Sequence, residues 1–146
     1  MLNEDWCMSR AQEAAFLASC NKRQLGCIIV TLKDEIISGT NGPPFPLEEC
    51  NPCPRLNSKS GTDLHLCRAV HAERMALLNA VKIGTSVLGA QLYFYGNVPC
   101  KDCLLELIAA GISEIICLEE TYYDELSKEI LREWINEGGK FRIYKQ

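Results

Sequence analysis

A chain of 146 residues with 47% hydrophobic side chains is sized for one domain around one core. Its net charge of −4 argues against broad binding to nucleic acid, where a positive field must neutralise phosphates, and favours a small substrate. No apolar run is long enough to cross a bilayer, and the opening Met-Leu-Asn-Glu-Asp is acidic where a secretory leader is basic. The nine cysteines, an odd number, cannot all pair within the chain, so the expectation is a cytoplasmic protein whose cysteines serve metal rather than disulfides.

Asn3 to Ser19 sets Trp6, Met8, Ala14, Phe16 and Leu17 among polar residues and predicts an amphipathic helix with a blurred period, Cys7 packing within it. Leu25 to Val30 is a short apolar run, Lys33-Asp34-Glu35 turns it, and Ile36-Ile37 opens a partner. A hairpin is expected, with Cys27 as a small buried hydrophobe in its first strand. Asn41 to Cys67 is rich in Pro and Gly and carries Cys50-Asn51-Pro52-Cys53. A loop of that length is unusual inside a domain unless something pins it, and cysteine ligands to a metal would supply folding energy that its few large apolar residues do not.

After His71, apolar positions at Met75, Leu78 and Val81, with Ala72, Ala76 and Ala80 filling in, predict a helix that Gly84 stops. Ala90 to Gly96 reads as a strand, and Pro99 precedes a helical run from Leu104 to Ala110 that Gly111 ends. Ile112 to Leu118 is another strand, with Cys117 in its core. Asp124 caps a helix through about Asn136 with Leu126, Ile130, Leu131 and Trp134 on one stripe; Gly138-Gly139 ends it, and Phe141 to Tyr144 forms a fifth strand. This order predicts a single α/β domain over residues 1–146: a three-layer α/β/α arrangement around a five-stranded mixed sheet, with a Cys-rich insert at about 41–67.

Two short pieces carry chemistry, His71-Ala72-Glu73 and Pro99-Cys100-Lys101-Asp102-Cys103. One imidazole and two thiolates make a three-ligand zinc site with a fourth position open to water, the arrangement of catalytic rather than structural zinc. Both pieces fall at predicted helix starts, where unpaired amides and the helix dipole favour thiolate over thiol. The backbone amides of Ala72 and Cys100 would face a bound base. Glu73, not itself a ligand, is then the group that moves protons. Each half is weak alone, since Cys-x-x-Cys is also a redox dithiol or half of a structural zinc site and His-Ala-Glu is commonly plain helix surface. Together, in this order, they match the signature of the zinc nucleobase deaminases.

The whole chain then resembles the cytidine and deoxycytidylate deaminase superfamily, closest to the deoxycytidylate deaminase group that includes the competence-operon type. Ser19-Cys20-Asn21-Lys22-Arg23-Gln24-Leu25-Gly26-Cys27-Ile28-Ile29-Val30 resembles that group's first strand and its approach, and Gly39-Thr40-Asn41-Gly42-Pro43-Pro44 its Gly-Tyr-Asn-Gly-x-Pro loop. The insert is similar in kind, with Cys50-x-x-Cys53-x-Arg55, Ser60-Gly61, and Cys67 shortly before His71. Ala110-Gly111-Ile112 and Tyr122-Tyr123-Asp124 fall where the group has Ala-Gly-Ile and Tyr-x-Asp.

The resemblance implies hydrolytic deamination of a cytosine nucleotide, dCMP to dUMP plus ammonia, by zinc-activated water with Glu73 as the proton shuttle. It implies that Asn41 bonds the sugar or base and that Tyr122 walls the pocket. A nucleotide also needs a cation at its phosphate; Lys22, Arg23, Arg55, Arg68 and Lys82 are the candidates, with Lys22 and Arg55 as the named contacts. Cys20, Cys50, Cys53 and Cys67 are candidates for a second, structural zinc, with His65 able to replace one of them, because four-cysteine tetrahedral sites are typical of non-catalytic zinc. A homo-oligomer, up to a hexamer, is also implied.

Met75, Thr40, Gly96 and Val98 depart from the group's pattern, Met75 toward the tRNA adenosine deaminases. Two alternatives therefore stand beside the leading reading: a deaminase of another nucleobase substrate (tRNA adenosine, guanine or a free nucleoside), and a non-catalytic, zinc-stabilised DNA-uptake accessory protein. The intact Glu73 favours an enzyme.

Overall fold

In the computed structural model, which describes residues 2–146, the central element is β1 (Gly26–Val30), buried along its whole length. A strand covered on both faces shows no alternation of polar and apolar residues, which is why Gly-Cys-Ile-Ile-Val reads as a continuous apolar run. β1 lies antiparallel to both neighbours, β2 (Ile36–Thr40) at the sheet edge and β3 (Gln91–Tyr95). β3 then runs parallel to β4 (Glu114–Cys117), and β4 parallel to β5 (Lys140–Ile143). The order β2-β1-β3-β4-β5 is the expected five-stranded mixed sheet.

Four helices cover the two faces. On one, α1 (Glu4–Phe16) lays Cys7, Met8 and Ala11 against Ile28, Val30, Tyr93 and Ile116. On the other, Ala72, Ala76 and Ala80 of α2 (Ala72–Ile83), Leu104 and Leu107 of α3 (Lys101–Ala109), and Leu131 of α4 (Glu125–Asn136) pack on Cys27, Ile29, Leu92, Phe94, Ile115 and Cys117. Adjacent residues of one strand thus serve opposite cores. Among the described residues no helix is long and apolar enough to cross a membrane.

Two helix faces differ from the expectation. In α1, Trp6, Phe16 and Leu17 are exposed, and the buried stripe is Cys7, Met8, Ala11, Ala14 and Ala15. In α2, Leu78 and Val81 point outward, and the alanines expected to fill in are themselves the sheet-facing stripe. The reason is distance. A Cβ added at Gly26 would lie 2.1 Å from the Ala15 nitrogen, and one at Gly39 2.1 Å from the Ala72 carbonyl oxygen, so both helices rest directly on glycine backbone where only small side chains fit. α1 ends at Phe16 rather than Ser19 because Ser19 turns in against Gly42. α4 begins as expected, with Asp124 Oδ1 accepting from the Ser127 amide at 2.7 Å, although Leu126 of its stripe is exposed.

The Cys-rich insert has one short 3₁₀ turn at Leu64–Leu66 and is closed at its base. Gly42 and Val70 exchange two backbone hydrogen bonds, at 2.9 and 3.2 Å, so the chain leaves and returns at one point beside the end of β2. His71 follows that closure directly.

Candidate active site

His71 stands immediately before α2 in extended backbone, and its side chain makes no capping hydrogen bond to the helix. Cys100 holds the same place before α3, again with no capping bond, and Cys103 lies in the first turn of that helix. A residue at this position commonly folds its side chain back onto the free amides of the first turn. Here the ring and the two sulfurs turn toward each other instead: His71 Nδ1 lies 3.5 Å from Cys100 Sγ and 3.4 Å from Cys103 Sγ. One ring nitrogen almost equidistant from two sulfurs is poorly explained by a single directional hydrogen bond.

A shared ion accounts for it. Zinc bonds of ~2.1 Å to nitrogen and ~2.3 Å to sulfur, opened at the tetrahedral angle, hold the two atoms roughly 3.6 Å apart, close to the separations found. Among the described residues these three make the one group of His, Cys and acidic side chains whose ligand atoms all lie within 4.8 Å of one another. The residues present therefore fit a three-coordinate zinc site with a fourth position to spare.

The electrostatics agree with that donor set. The hydrogen bond from the Cys103 thiol, then those from His71 and the helix amide, hold the Cys100 thiol down at about 4, while Cys103 itself is pushed up by its bond to that thiolate and by burial. The Cys100 thiolate in turn raises His71. A cation bound by the two sulfurs and the imidazole would displace the protons they share, releasing them to solvent.

Glu73 sits one residue into α2 and is 2% exposed. Burial pushes its carboxyl up to about 7, and Oε1 is buried with no hydrogen-bond partner among the described residues. Beneath it, the Cys27 thiol donates to the Ala72 carbonyl at 3.3 Å; burial first, and the Glu73 charge second, push the thiols of Cys27 and Cys117 well up. Both are core thiols, as expected of them. Ala72 is fully buried as the first residue of α2, where an amide has no intrahelical carbonyl to bind.

The remaining candidates are placed less uniformly. Asn41 is buried, and its amide accepts from the Leu25 N–H at 2.8 Å and donates to the Arg23 carbonyl at 2.6 Å, which fixes the approach to β1. Lys22 Nζ donates to the carbonyls of Arg55 and Ser58, and Arg55 Nε to that of Thr62, so both named cations bind insert backbone. Lys82 lies in the last turn of α2, roughly 16 Å along the axis from His71. Arg68 and His65 are exposed in the insert.

Tyr122 packs against the core beside Lys128, whose Nζ is 5.8 Å from the ring centre. Its neighbour Tyr123 is 40% exposed, and its hydroxyl is the one that feels the charges of the centre. Burial pushes its hydroxyl up to about 12, Arg23 opposes this, and Glu73, Cys100 and Cys103 add to it. The Arg23 guanidinium lies 5.1 Å over the Tyr123 ring and donates to Asn97 Oδ1 at 3.0 Å. Asn97 and Tyr123 were absent from the sequence expectation. Their only trace was a polar residue at the end of an apolar strand and a second tyrosine beside the first.

Cys20, Cys50, Cys53 and Cys67 are partly exposed and not gathered to ligand spacing. Their segments are nonetheless tied together: Asn21 Nδ2 donates to the Cys50 carbonyl at 2.7 Å, and the Arg55 amide to Cys53 Sγ at 3.4 Å.

The chain is 35% identical over 132 residues to the deoxycytidylate deaminase of Saccharomyces cerevisiae, covering 88% of this chain but 41% of that one. To the ComE operon protein 2 of Bacillus subtilis it is 27% identical, covering 86% of this chain and 64% of that one. The chain thus spans less than half the length of the yeast relative. Among solved structures, the dCMP deaminase of cyanophage S-TIM5, in complex with dCMP and dUMP, superposes with a TM-score of 0.76 over 99% of this chain and 100% of that one, at 21% identity, a likeness of fold. Residues 1–119, which hold His71, Glu73, Cys100 and Cys103, match the family model of the cytidine and deoxycytidylate deaminase zinc-binding region, and the chain belongs to that family.

Proposed function

We propose that this protein is a zinc-dependent hydrolase that converts dCMP to dUMP and ammonia. The observation that carries the reading is the His71–Cys100–Cys103 group, with ring-to-sulfur separations of 3.4 and 3.5 Å, beside a buried Glu73 carboxylate whose Oε1 has no hydrogen-bond partner among the described residues. Zinc bound there would supply a Lewis acid that makes a water molecule acidic at neutral pH. Glu73 takes the proton of the attacking water, passes it to the ring nitrogen next to the reacting carbon, and later delivers a proton to the departing amine. Water adds to C4 first, and the C4–N4 bond then breaks as the second proton of that water reaches the amine by way of Glu73, so cytosine and water become uracil and ammonia. The Ala72 amide offers a donor to the base, Tyr123 and Arg23 offer a wall and a positive charge, and Asn41 holds the β1 approach that carries Arg23.

Ammonia release measured across cytosine nucleotides, nucleosides, free bases and a tRNA adenosine substrate tests the reading. Turnover of dCMP above the others, abolished in Glu73→Ala with zinc content retained, is the expected result. Turnover of another nucleobase substrate alone would replace dCMP with that substrate, and an unchanged rate in Glu73→Ala would remove the mechanism.

A second, structural zinc on Cys20, Cys50, Cys53 and Cys67 belongs to the same proposal. The amide-to-sulfur bond at Cys53 supports it, since a bond of this kind orients a thiolate for a metal, and the bond from Asn21 to the Cys50 carbonyl brings those two segments together. Assembly into a homo-oligomer is proposed as well, supported by the outward Leu78 and Val81 of α2.

A further inference from the structure

We propose that Asn97 is a positioning residue: its side-chain amide joins Arg23, ahead of β1, to the loop after β4, and so holds Arg23 and Tyr123 together as one wall beside the His71–Cys100–Cys103 group. Asn97 is 4% exposed and lies three residues before Cys100, between β3 and the ligand-bearing helix. A buried primary amide in that place calls for partners on both of its polar atoms. It has them on opposite sides: Oδ1 accepts from Arg23 Nη2 at 3.0 Å, and Nδ2 donates to the Thr121 carbonyl at 3.3 Å. The next residue repeats the second tie, the Val98 amide donating to the same carbonyl at 3.2 Å. The loop held this way presents Tyr123, over whose ring the Arg23 guanidinium lies at 5.1 Å. Three separate stretches of chain are therefore fixed by one side chain that touches neither metal ligands nor Glu73 in any hydrogen bond of the described residues.

The choice of amide over carboxylate has a physical reason. A carboxylate at this position would aim Arg23 equally well but cancel its charge, whereas a neutral acceptor leaves the guanidinium fully positive beside the site. Arg23 stands in none of the ion pairs among the described residues.

The kinetic part of the test rests on the deaminase reading, so a second readout is chosen that does not. In zinc-loaded, nitrogen-15-labelled protein, the Arg23 Nε–H signal, assigned by its loss in Arg23→Gln, reports its stacking on the tyrosine ring. Asn97→Ala is expected to move that signal to the position of a solvated arginine. It is also expected to raise KM for dCMP about tenfold while lowering kcat by less, and the double variant with Arg23→Gln should be no worse than Arg23→Gln alone. Asn97→Asp, which keeps the acceptor for Arg23 but loses the donor to the Thr121 carbonyl, should shift the Arg23 signal part of the way and raise KM. An Arg23 signal indifferent to Asn97→Ala, or losses that multiply in the double variant, would overturn the proposal. If Asn97→Ala does not fold, an Arg23 signal and a KM both unchanged in Asn97→Asp do the same. The two readings fail separately: no turnover with a responsive Arg23 signal removes the deaminase alone, and normal dCMP turnover with an unresponsive one removes the role of Asn97 alone.

Discussion

Glu73 is itself 2% exposed, and its Oε1 has no hydrogen-bond partner among the described residues. Folding gains nothing from that, because burial penalises the charged carboxylate and pushes it up to about 7, a penalty that a neutral amide of the same shape escapes. Stability and activity are therefore expected to part company at this residue. In metal-free protein, Glu73→Gln should melt at a higher temperature than wild type, while turnover of the zinc-loaded form falls by roughly 10²–10⁴; a lower melting temperature would mean that Glu73 has a structural partner. At this scale the gathering of His71, Cys100 and Cys103 was legible because residue type and spacing carry it. The place of the tyrosines was not. Tyr122 and Tyr123 are adjacent in the irregular stretch before α4, where a bend at Tyr123 sends the two rings to different neighbours, and local sequence does not encode that. Lys22 and Arg55 had the right charge, but their nitrogens bind insert carbonyls.

The elements were read in the right order, and two helices were read with the wrong face inward. Large apolar side chains attract the assignment of a core stripe, yet α2 rests on the sheet through Ala72, Ala76 and Ala80 because Gly39 leaves no room for anything larger. Gly39→Ala is expected to lift the start of α2, costing about 1–3 kcal/mol as overpacking does and lowering zinc affinity with it, because His71 rides on that helix start. Thermal melts and a zinc titration would check both; a variant that binds zinc as tightly as wild type would separate the helix contact from the site.

The other face carries a charge test. Glu114 on β4 accepts from Arg142 Nε of β5 at 2.6 Å and from Gln91 of β3 at 3.0 Å, and Arg142 also pairs with Glu4 of α1. Burial raises the Glu114 carboxyl, but the bonds from Arg142 and Gln91 outweigh it and hold it below the usual range. A carboxylate lowered by folding stabilises the protein above its ordinary pKa, and that stability is lost as pH falls through the lowered value. Denaturant unfolding as a function of pH should show this loss below about pH 4 in wild type, with Glu114→Gln flattening it by no more than about 1 kcal/mol because the pair is partly solvated.

For the whole molecule, the insert is an excursion that starts and ends at the Gly42–Val70 bridge, so it can be loosened without moving His71. Wild type is expected to carry two zinc ions per chain and Cys53→Ser one, with faster proteolysis between residues 43 and 69 and a larger effect on KM than on kcat. A single ion in wild type would remove the second site. The grouping of His71, Cys100 and Cys103, the element order and the mixed sheet could be read along the chain, because residue type, helix starts and apolar runs are local properties written within a few residues of each other. Which faces of α1 and α2 turn inward, which tyrosine lies under Arg23 and where each cation goes came from packing alone. Those depend on how closely backbones from distant parts of the chain approach, and on which carbonyls they leave within reach.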